Sequence, residues 1–525
     1  MSARSDVEPV VIVGAGPVGL VTALLLARQG VPSVVLEAAA RRDPSGSKAI
    51  CFQRDVLDVL DRVGCAEPMI ARGVTWTTGR TYYRDEELFS VTFPDPGRSA
   101  VPPWINISQA EVEARLRDLA DAEPLVDVRY GHPVRGLRQD ELGVEVDAGE
   151  PGNFVRGSHV VGADGGHSTV RKLLGIDFPG RAFDDKFLIC DIRADLPFPS
   201  ERRFYFDPEW NPGRQVLVHP CPDGTWRVDW QVPGDHDFAA ERASGALDAR
   251  IRKIIGAVPY ELVWGSLYRF SERRAATFAS GRAFLAGDAA HLYAPFGARG
   301  LNSGVQDAEN LAWKLAYVRR GLAPGGLLDS YDVERWAAAG ENLRVTTRTM
   351  EFLVPHTPAQ HARRLEALER ARTHPDAGTI IDSGKLAEPY WYLDSPLTTP
   401  SGSTDGFPCE PGAVRPPVPG VICPDGPCVV SGALTRLRRL FGTTFVILTA
   451  TRHPGDLPTD VPYRVHALDD IDTEGVVRKA LDAGPDTVHV VRPDGHLAAV
   501  LPSYDPEAVT AALDRACGRR KMVME

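Results

Sequence analysis

The sequence predicts an α/β protein: a doubly wound parallel sheet of the nucleotide-binding kind, an antiparallel β-sheet domain inserted into it, and a further α/β unit at the C-terminal end. Three observations predict it. A glycine-rich turn, GAGPVG at 14–19, lies between two apolar, β-branched runs at 10–13 and 33–36. Two further glycine–aspartate stretches, GADGGHSTVR at 162–171 and GDAAHLYAPFGARGLNSG at 287–304, each follow an apolar run. Two blocks of aromatic, alternating sequence, near 75–103 and 183–270, separate these stretches.

Taken in order, the continuous run at 10–13 suits a strand buried on both faces of a parallel sheet. The chain turns through Gly14, Gly16 and Gly19 into a helix carrying Leu20, Ala23, Leu24 and Ala27, and Gly30 supplies its left-handed stop. A second strand at 33–36 ends in Glu37, completing a βαβ unit of Rossmann type. The stretch TWTTGRTYYRDEELFSVTF and the later RRFYFDP, RQVLVHP and TWRVDWQV alternate apolar with polar residues, as strands with one buried face do. After Asn302 a helix is written by Val305, Ala308, Leu311, Ala312 and Leu315, with Asp307 early and Arg319 and Arg320 late. Proline and glycine then thicken from 396 to 424, which marks a linker. Beyond it come FVILTA, YRVHAL and TVHVVRPDGHLAAVL, whose Asp494-Gly495 pair is a hairpin turn, and a last helix near 506–516. The expected division is 1–74, 104–182 and 271–395 for nucleotide binding, 75–103 and 183–270 for the inserted sheet, 396–420 for the linker and 421–525 for the C-terminal domain.

A formal charge of −11 and a pI near 5.7 argue against a nucleic-acid partner, whose phosphates require a basic face. The arginines at 363, 364, 370 and 372 alternate with Glu366 and Glu369 and read as a solvated helix face. Eight cysteines without a CxxC pair fit a reducing cytoplasm, and Cys423 with Cys428 lacks the partners of a zinc site, so no metal is expected. The N-terminal apolar run is too short for a signal sequence, and no stretch approaches the ~20 apolar residues of a membrane span.

The three signatures choose the ligand. Gly14 allows the turn off the strand, Gly16 lets a pyrophosphate approach the backbone, and Gly19 permits close packing of helix on strand. Glu37 accepts from ribose hydroxyls and repels a 2′-phosphate, leaving NAD or FAD as resident dinucleotide. Asp164 and Asp288 stand at strand carboxyl ends, where a ribityl chain offers them hydroxyls. The helix starting at 300–302 points its positive end at an isoalloxazine, with Gly297, Gly300 and Gly304 keeping side chains off the ring. FAD satisfies all three. The chain carries one such phosphate loop, so NADH or NADPH has no Rossmann domain of its own.

Through these motifs, over about residues 9–345, the chain resembles the class A flavoprotein monooxygenases, a family including p-hydroxybenzoate, phenol and hydroxyphenylpropionate hydroxylases and polyketide-tailoring hydroxylases. PGAVRPP and VRPDGHLAAVL resemble the thioredoxin-like C-terminal domain of its larger members, which lacks redox cysteines. The resemblance implies FAD contacts at Gly14, Gly16, Gly19, Glu37, Gln109, Asp164, Asp288, Gly300, Leu301 and Asn302. Lys48 stands where the family often has an arginine for the pyrophosphate, and Arg54 is its substitute. The resemblance further implies that NAD(P)H enters transiently, reduces the flavin and leaves, and that O₂ then forms a C4a-hydroperoxide that passes one oxygen to an aromatic ring. Trp76, Trp104, Tyr205, Trp226 and Trp230 are candidates for the pocket lining, and Pro295 and Phe296 for the wall beside the flavin. Tyr205, His219, Asp229 and His291 are candidate bases for phenol activation. The expected partners are a small aromatic substrate, NAD(P)H and O₂, and a homodimer is common among relatives. Baeyer–Villiger or epoxidising chemistry shares the same oxidant. A flavin halogenase is disfavoured because TWRVDWQVP departs from its WxWxIP stretch, and a non-catalytic flavin-binding protein is disfavoured by the intact motifs.

Overall fold

The computed structural model describes residues 8–41, 49–92, 101–150, 152–374, 381, 386–400, 415–451 and 456–519. A six-stranded sheet is ordered Ala279–Ser280, Ala283–Leu285, His159–Gly162, Val10–Val13, Ser33–Leu36, Val126–Arg129. All neighbours in it are parallel except the short first strand. Val10, Val11 and Ile12 are wholly buried at its centre, which is why that strand is apolar at every position. The Pro17–Arg28 helix is buried along nearly its whole length, between this sheet and the Arg299–Arg319 helix. Gly304 makes the helix pair possible, since a Cβ there would lie 2.6 Å from Val18 Cγ2.

An eight-stranded, largely antiparallel sheet is ordered His291–Leu292, Tyr260–Arg274, Gly180–Ala194, Thr225–Val232, Gln215–Cys221, Arg202–Phe206, Thr78–Tyr83, Glu86–Thr92. It joins the two aromatic blocks: Arg202–Phe206 runs parallel to Thr78–Tyr83, pairing Phe204 with Thr81 and Phe206 with Tyr83. Each face has its own core. On the outer face Leu188, Cys190, Val216, Val218, Val228 and Ile192 pack beneath Leu247, Ile251 and Ile255 of the Ala246–Ile255 helix. On the inner face Phe183, Phe187, Ile189, Phe204, Phe206, Leu217 and Phe270 pack with Phe296, Met350 and Leu353.

The pleat corrects part of the expected pocket lining. Tyr205, Val216, Trp230 and Leu188 form one cross-strand row, and Tyr205, Trp226 and Trp230 all pack in the outer core. Tyr205 stacks on Tyr82 with centroids 4.7 Å apart. These three side chains point away from Phe296. Trp76 and Trp104 are buried against each other, with centroids 5.1 Å apart. The arginine-rich helix Pro358–Thr373 is also less exposed than its charge pattern suggests: Arg364 is buried, donates to the Leu353 carbonyl and lies over the Phe206 ring.

The C-terminal unit is a mixed four-stranded sheet ordered Tyr463–Ala467, Phe445–Thr449, Val488–Val491, Leu497–Leu501, covered by the Pro506–Ala516 helix. Its core is continuous with the Arg299–Arg319 helix, because Trp313 and Tyr317 pack with Phe445, Ile447 and Val488. Asp494, expected as a turn residue, is buried and accepts from Trp313 Nε1 and Arg492 Nε. Cys423 and Cys428 are buried free thiols. Among the described residues no helix is long and apolar enough to cross a membrane.

Candidate active site

The three signatures meet at the carboxyl ends of the central strands. Gly14 has φ +104°, and a Cβ on it would lie 2.5 Å from the Ala163 carbonyl oxygen, so the first loop rests directly on the second. A Cβ on Gly19 would strike the Gly14 carbonyl. Gly304 lies against Gly287, which brings the third signature to the same edge. Around Gly16 the space is open: among the described residues, apart from its chain neighbours and its own helix backbone, no atom lies within 4 Å of its would-be Cβ, and the same holds at Gly300.

Both helices that begin here lack a side-chain cap. Gly16 is the N-cap of Pro17–Arg28, and Ala298, at φ 54°, that of Arg299–Arg319. Uncapped N–H groups and the positive helix ends make the two termini anion sites, and the open glycine cradles leave room for a ligand's backbone-close approach. Glu37 faces the first terminus: Oε2 accepts from the Ala15 amide at 2.9 Å and Oε1 from the Ala39 amide at 2.9 Å. These residues fit a dinucleotide whose pyrophosphate lies at one terminus and whose electron-accepting ring lies at the other.

The remaining expected contacts take several roles. Asp164 accepts from Ser168 Oγ at 2.5 Å and from the Thr169 and Val170 amides at 2.7 and 3.1 Å, so it anchors the short Thr169–Leu173 helix. Asp288 is exposed on the single turn Gly287–Ala289. Asn302 donates to the carbonyls of Cys51 at 2.9 Å and Ala298 at 2.6 Å, and its Oδ1 accepts from the Gln53 amide, so it ties the Arg299–Arg319 helix to the Cys51–Gln53 strand. Leu301 is half-buried against the central core. Gln109 Oε1 accepts from the Ala49 amide at 3.2 Å, and Arg54 Nε donates to the Val101 carbonyl at 2.8 Å. Lys48 lies outside the described residues.

His291 is wholly buried behind the loop rather than facing a substrate. Its Nε2 lies 2.7 Å from Asp307 Oδ2, and its ring stacks on Tyr293. That burial makes it a structural group. Asp307, read from the sequence only as an early helix acid, is the centre of this region: it also accepts from the Gly287 amide at 2.9 Å and from Arg335 Nε at 2.6 Å. Burial works to raise its pKa, but Arg335 and His291 outweigh that and hold it at about 2. Arg171, which the sequence did not single out, spans two signatures by donating to the Ala289 carbonyl at 2.7 Å and the Gly166 carbonyl at 2.8 Å. The only sequence signal for Asp307 is an acid placed among the apolar positions of a buried helix.

Pro295 is exposed and Phe296 buried. The Phe296 ring lies 5.6 Å from Phe187, 6.3 Å from Phe270 and 6.4 Å from Phe204, centroid to centroid. One loop therefore joins the N-terminus of the Arg299–Arg319 helix to the inner face of the eight-stranded sheet. Among the described residues no group of three or more His, Cys, Asp or Glu is placed to hold a metal.

Comparison with known proteins agrees with this geometry. The family described as FAD binding domain matches residues 8–346. The chain is 34% identical over 364 residues to rifampicin monooxygenase of Streptomyces venezuelae, covering 68% of this chain and 74% of that one. It is 32% identical over 360 residues to 3-(3-hydroxy-phenyl)propionate/3-hydroxycinnamic acid hydroxylase of a Mycobacterium species, covering 67% of this chain but only 61% of that relative. The flavin-dependent monooxygenase PieE, solved with FAD and substrate, superposes with a TM-score of 0.84 over 99% of this chain and 100% of its own, at 23% identity. OxyS anhydrotetracycline hydroxylase from Streptomyces rimosus gives a TM-score of 0.68 at 27% identity, over 97% of this chain and 98% of its own. With the phosphate loop, both uncapped helix termini and the family match in agreement, the chain belongs to the class A flavoprotein monooxygenases, the FAD-dependent aromatic hydroxylases.

Proposed function

We propose that the protein uses NAD(P)H and O₂ to hydroxylate a phenolic or polyketide-like aromatic compound held between the residue 295–298 loop and the inner face of the eight-stranded sheet. The observation that carries this is Phe296: a residue of the flavin-site signature is built into the aromatic core of the sheet. When bound, FAD supplies the electron carrier that couples NAD(P)H and O₂ to oxygen transfer. The chain's residues do the rest. The amides after Gly16 bind pyrophosphate, Glu37 takes the ribose, and the N-terminus at Gly300, Leu301 and Asn302 favours negative charge on the reduced ring. The inner-face phenylalanines exclude water from the reacting edge. NAD(P)H is read as a transient visitor, because one phosphate loop serves the dinucleotide site.

A substrate of several fused rings is supported by relatives named for rifampicin and anhydrotetracycline. The position of Trp226 and Trp230 in the outer core weakens the halogenase reading further. The free thiols among the described residues support a reducing cytoplasm. NAD(P)H oxidation is to be measured with a panel of phenols, naphthols and hydroxyanthraquinones, with products analysed under isotopic O₂. Stimulated oxidation with one labelled oxygen in a phenolic product is expected; label in an ester or epoxide identifies the alternative chemistry, and no stimulation by any aromatic overturns the reading. Light scattering reads the homodimer implied by the resemblance.

A further inference from the structure

The inner face of the eight-stranded sheet is not uniformly apolar. Along Thr225–Val232 the outer core takes Trp226, Val228 and Trp230, which leaves Arg227, Asp229 and Gln231 on the inner face. Two cross-strand rows follow from the register. In one, Asp229 stands between Ile189 and Leu217, with Phe204 beyond Leu217. Ile189, Leu217 and Phe204 all belong to the cluster that holds Phe296. In the adjoining row Arg227 stands between Asp191 and His219.

The members of these rows differ in what engages them. Asp191 is committed to Arg227 through two parallel bonds, Nε to Oδ1 at 2.7 Å and Nη2 to Oδ2 at 2.8 Å. Asp229 Oδ1 and His219 Nδ1 are buried and, among the described residues, have no hydrogen-bond partner. An acceptor and a ring nitrogen on adjacent strands are thus left unsatisfied on the wall that the aromatic substrate is proposed to face.

We propose that Asp229, with His219 beside it, takes the proton of a phenolic hydroxyl on the bound substrate and thereby fixes which ring position is presented to the loop carrying Phe296. The inference rests on the aromatic-substrate reading above. The step is a proton transfer alone: the phenolic O–H bond breaks, an Oδ–H bond forms on Asp229, and the electron pair stays on the phenolate oxygen. The proton returns to that oxygen as product forms. Negative charge gained by the ring oxygen activates the positions ortho and para to it.

The charged and titratable groups around Asp229 are Arg227 on its own strand, Asp191 and Cys190 on one side, and His219, Cys221 and Arg202 on the other. Burial raises Asp229 to about 7; Arg227 opposes this, Asp191 adds to it and Arg202 opposes it. Burial, reinforced by Arg202 and Arg227, drives His219 well below the ordinary histidine range, so its imidazole is neutral. Asp229 is a base only when ionised, so phenol activation rises as pH rises through about 7.

The test uses the FAD-loaded full chain, wild type and Asp229→Asn, with 2-naphthol and resorcinol, both protonated at pH 8, as probes beside their O-methyl ethers. Dissociation constants are read at pH 8 from the perturbation of the flavin spectrum, without NAD(P)H. Wild type is expected to prefer at least one phenol over its ether by about tenfold or more, and Asp229→Asn to lose that preference while keeping its flavin content and melting temperature. Equal affinity of wild type for phenol and ether, no binding of either, or a preference kept by Asp229→Asn overturns the proposal. Should Asp229→Asn lose flavin, Asp229→Ser gives the same readout. With a substrate in hand, kcat of Asp229→Asn is expected to fall about 100-fold or more, and its rise through pH 7 to vanish. The binding comparison needs no turnover, so a wild type that prefers phenols but never couples them to NAD(P)H oxidation sinks the hydroxylase reading and leaves this one standing.

Discussion

Asp307 and Gly16 illustrate two different ways in which one residue serves the flavin site. Asp307 binds Gly287, His291 and Arg335 together, and its folded pKa of about 2 lies below the ordinary 3.8. A depressed folded value contributes stability above the unfolded pKa, and that contribution is lost as pH falls from about 4 through about 2. Asp307→Asn leaves Arg335 buried without its ion partner and is expected to destabilise by about 3–5 kcal/mol. Urea melts at pH 7 and pH 3 check both points: the deficit is expected to shrink at the lower pH. Gly16 instead acts through empty space. Because a Cβ there meets no described residue beyond its chain neighbours, Gly16→Ala is expected to leave the apoprotein's melting temperature within about a degree, while flavin affinity falls about tenfold or more. Gly14→Ala, which forces a Cβ onto the Ala163 carbonyl, is expected to lower the apoprotein's melting temperature as well. The glycines were legible in sequence because backbone clearance is a local demand. The three-way role of Asp307 was not, since His291, Gly287 and Arg335 lie 16, 20 and 28 positions away and only the folded chain brings them together.

For the elements, periodicity proved easier to read than direction. Alternation in RRFYFDP and TWRVDWQV identified strands with two distinct faces, and both strands lie in the eight-stranded sheet. Which face meets the flavin loop is set by register with Gln215–Cys221 and by the Ala246–Ile255 helix laid against the other side. Aromatic residues populate both faces, so Tyr205, Trp226 and Trp230 were placed at the pocket while Phe187, Phe204 and Phe270 fill it. Tyr205→Phe is accordingly expected to leave kcat and KM within about twofold of wild type. Phe204→Ala opens the inner core, with a stability cost of about 3–5 kcal/mol, and is expected to uncouple NAD(P)H oxidation from product formation. Steady-state assays that measure hydrogen peroxide beside hydroxylated product distinguish the two substitutions.

Across the whole molecule, the C-terminal unit is held to the nucleotide-binding part by buried charge as well as apolar surface. Arg492 reaches Glu334 through two bonds at 2.5 and 2.9 Å, and Glu334 also accepts from Lys314 at 2.8 Å. Sequence reading found the C-terminal strands but could not pair charges 158 positions apart. Glu334→Gln leaves two cations with weakened compensation; it is expected to lower the melting temperature by several degrees while calorimetry still records a single transition, because the core around Trp313 and Phe445 spans the junction. A second clasp lies at the Arg54–Arg62 helix. Arg415 and Arg438 grip Asp55, and Arg436 and Arg438 grip Asp58, on the helix that Gln53 and Arg54 begin at the flavin edge. The same short rod thus starts beside Asn302 at one end and moors the C-terminal unit along its length. A cofactor that steadies that rod is coupled reciprocally to the mooring, so Asp58→Asn, which loosens the mooring, is expected to weaken flavin affinity in an equilibrium titration.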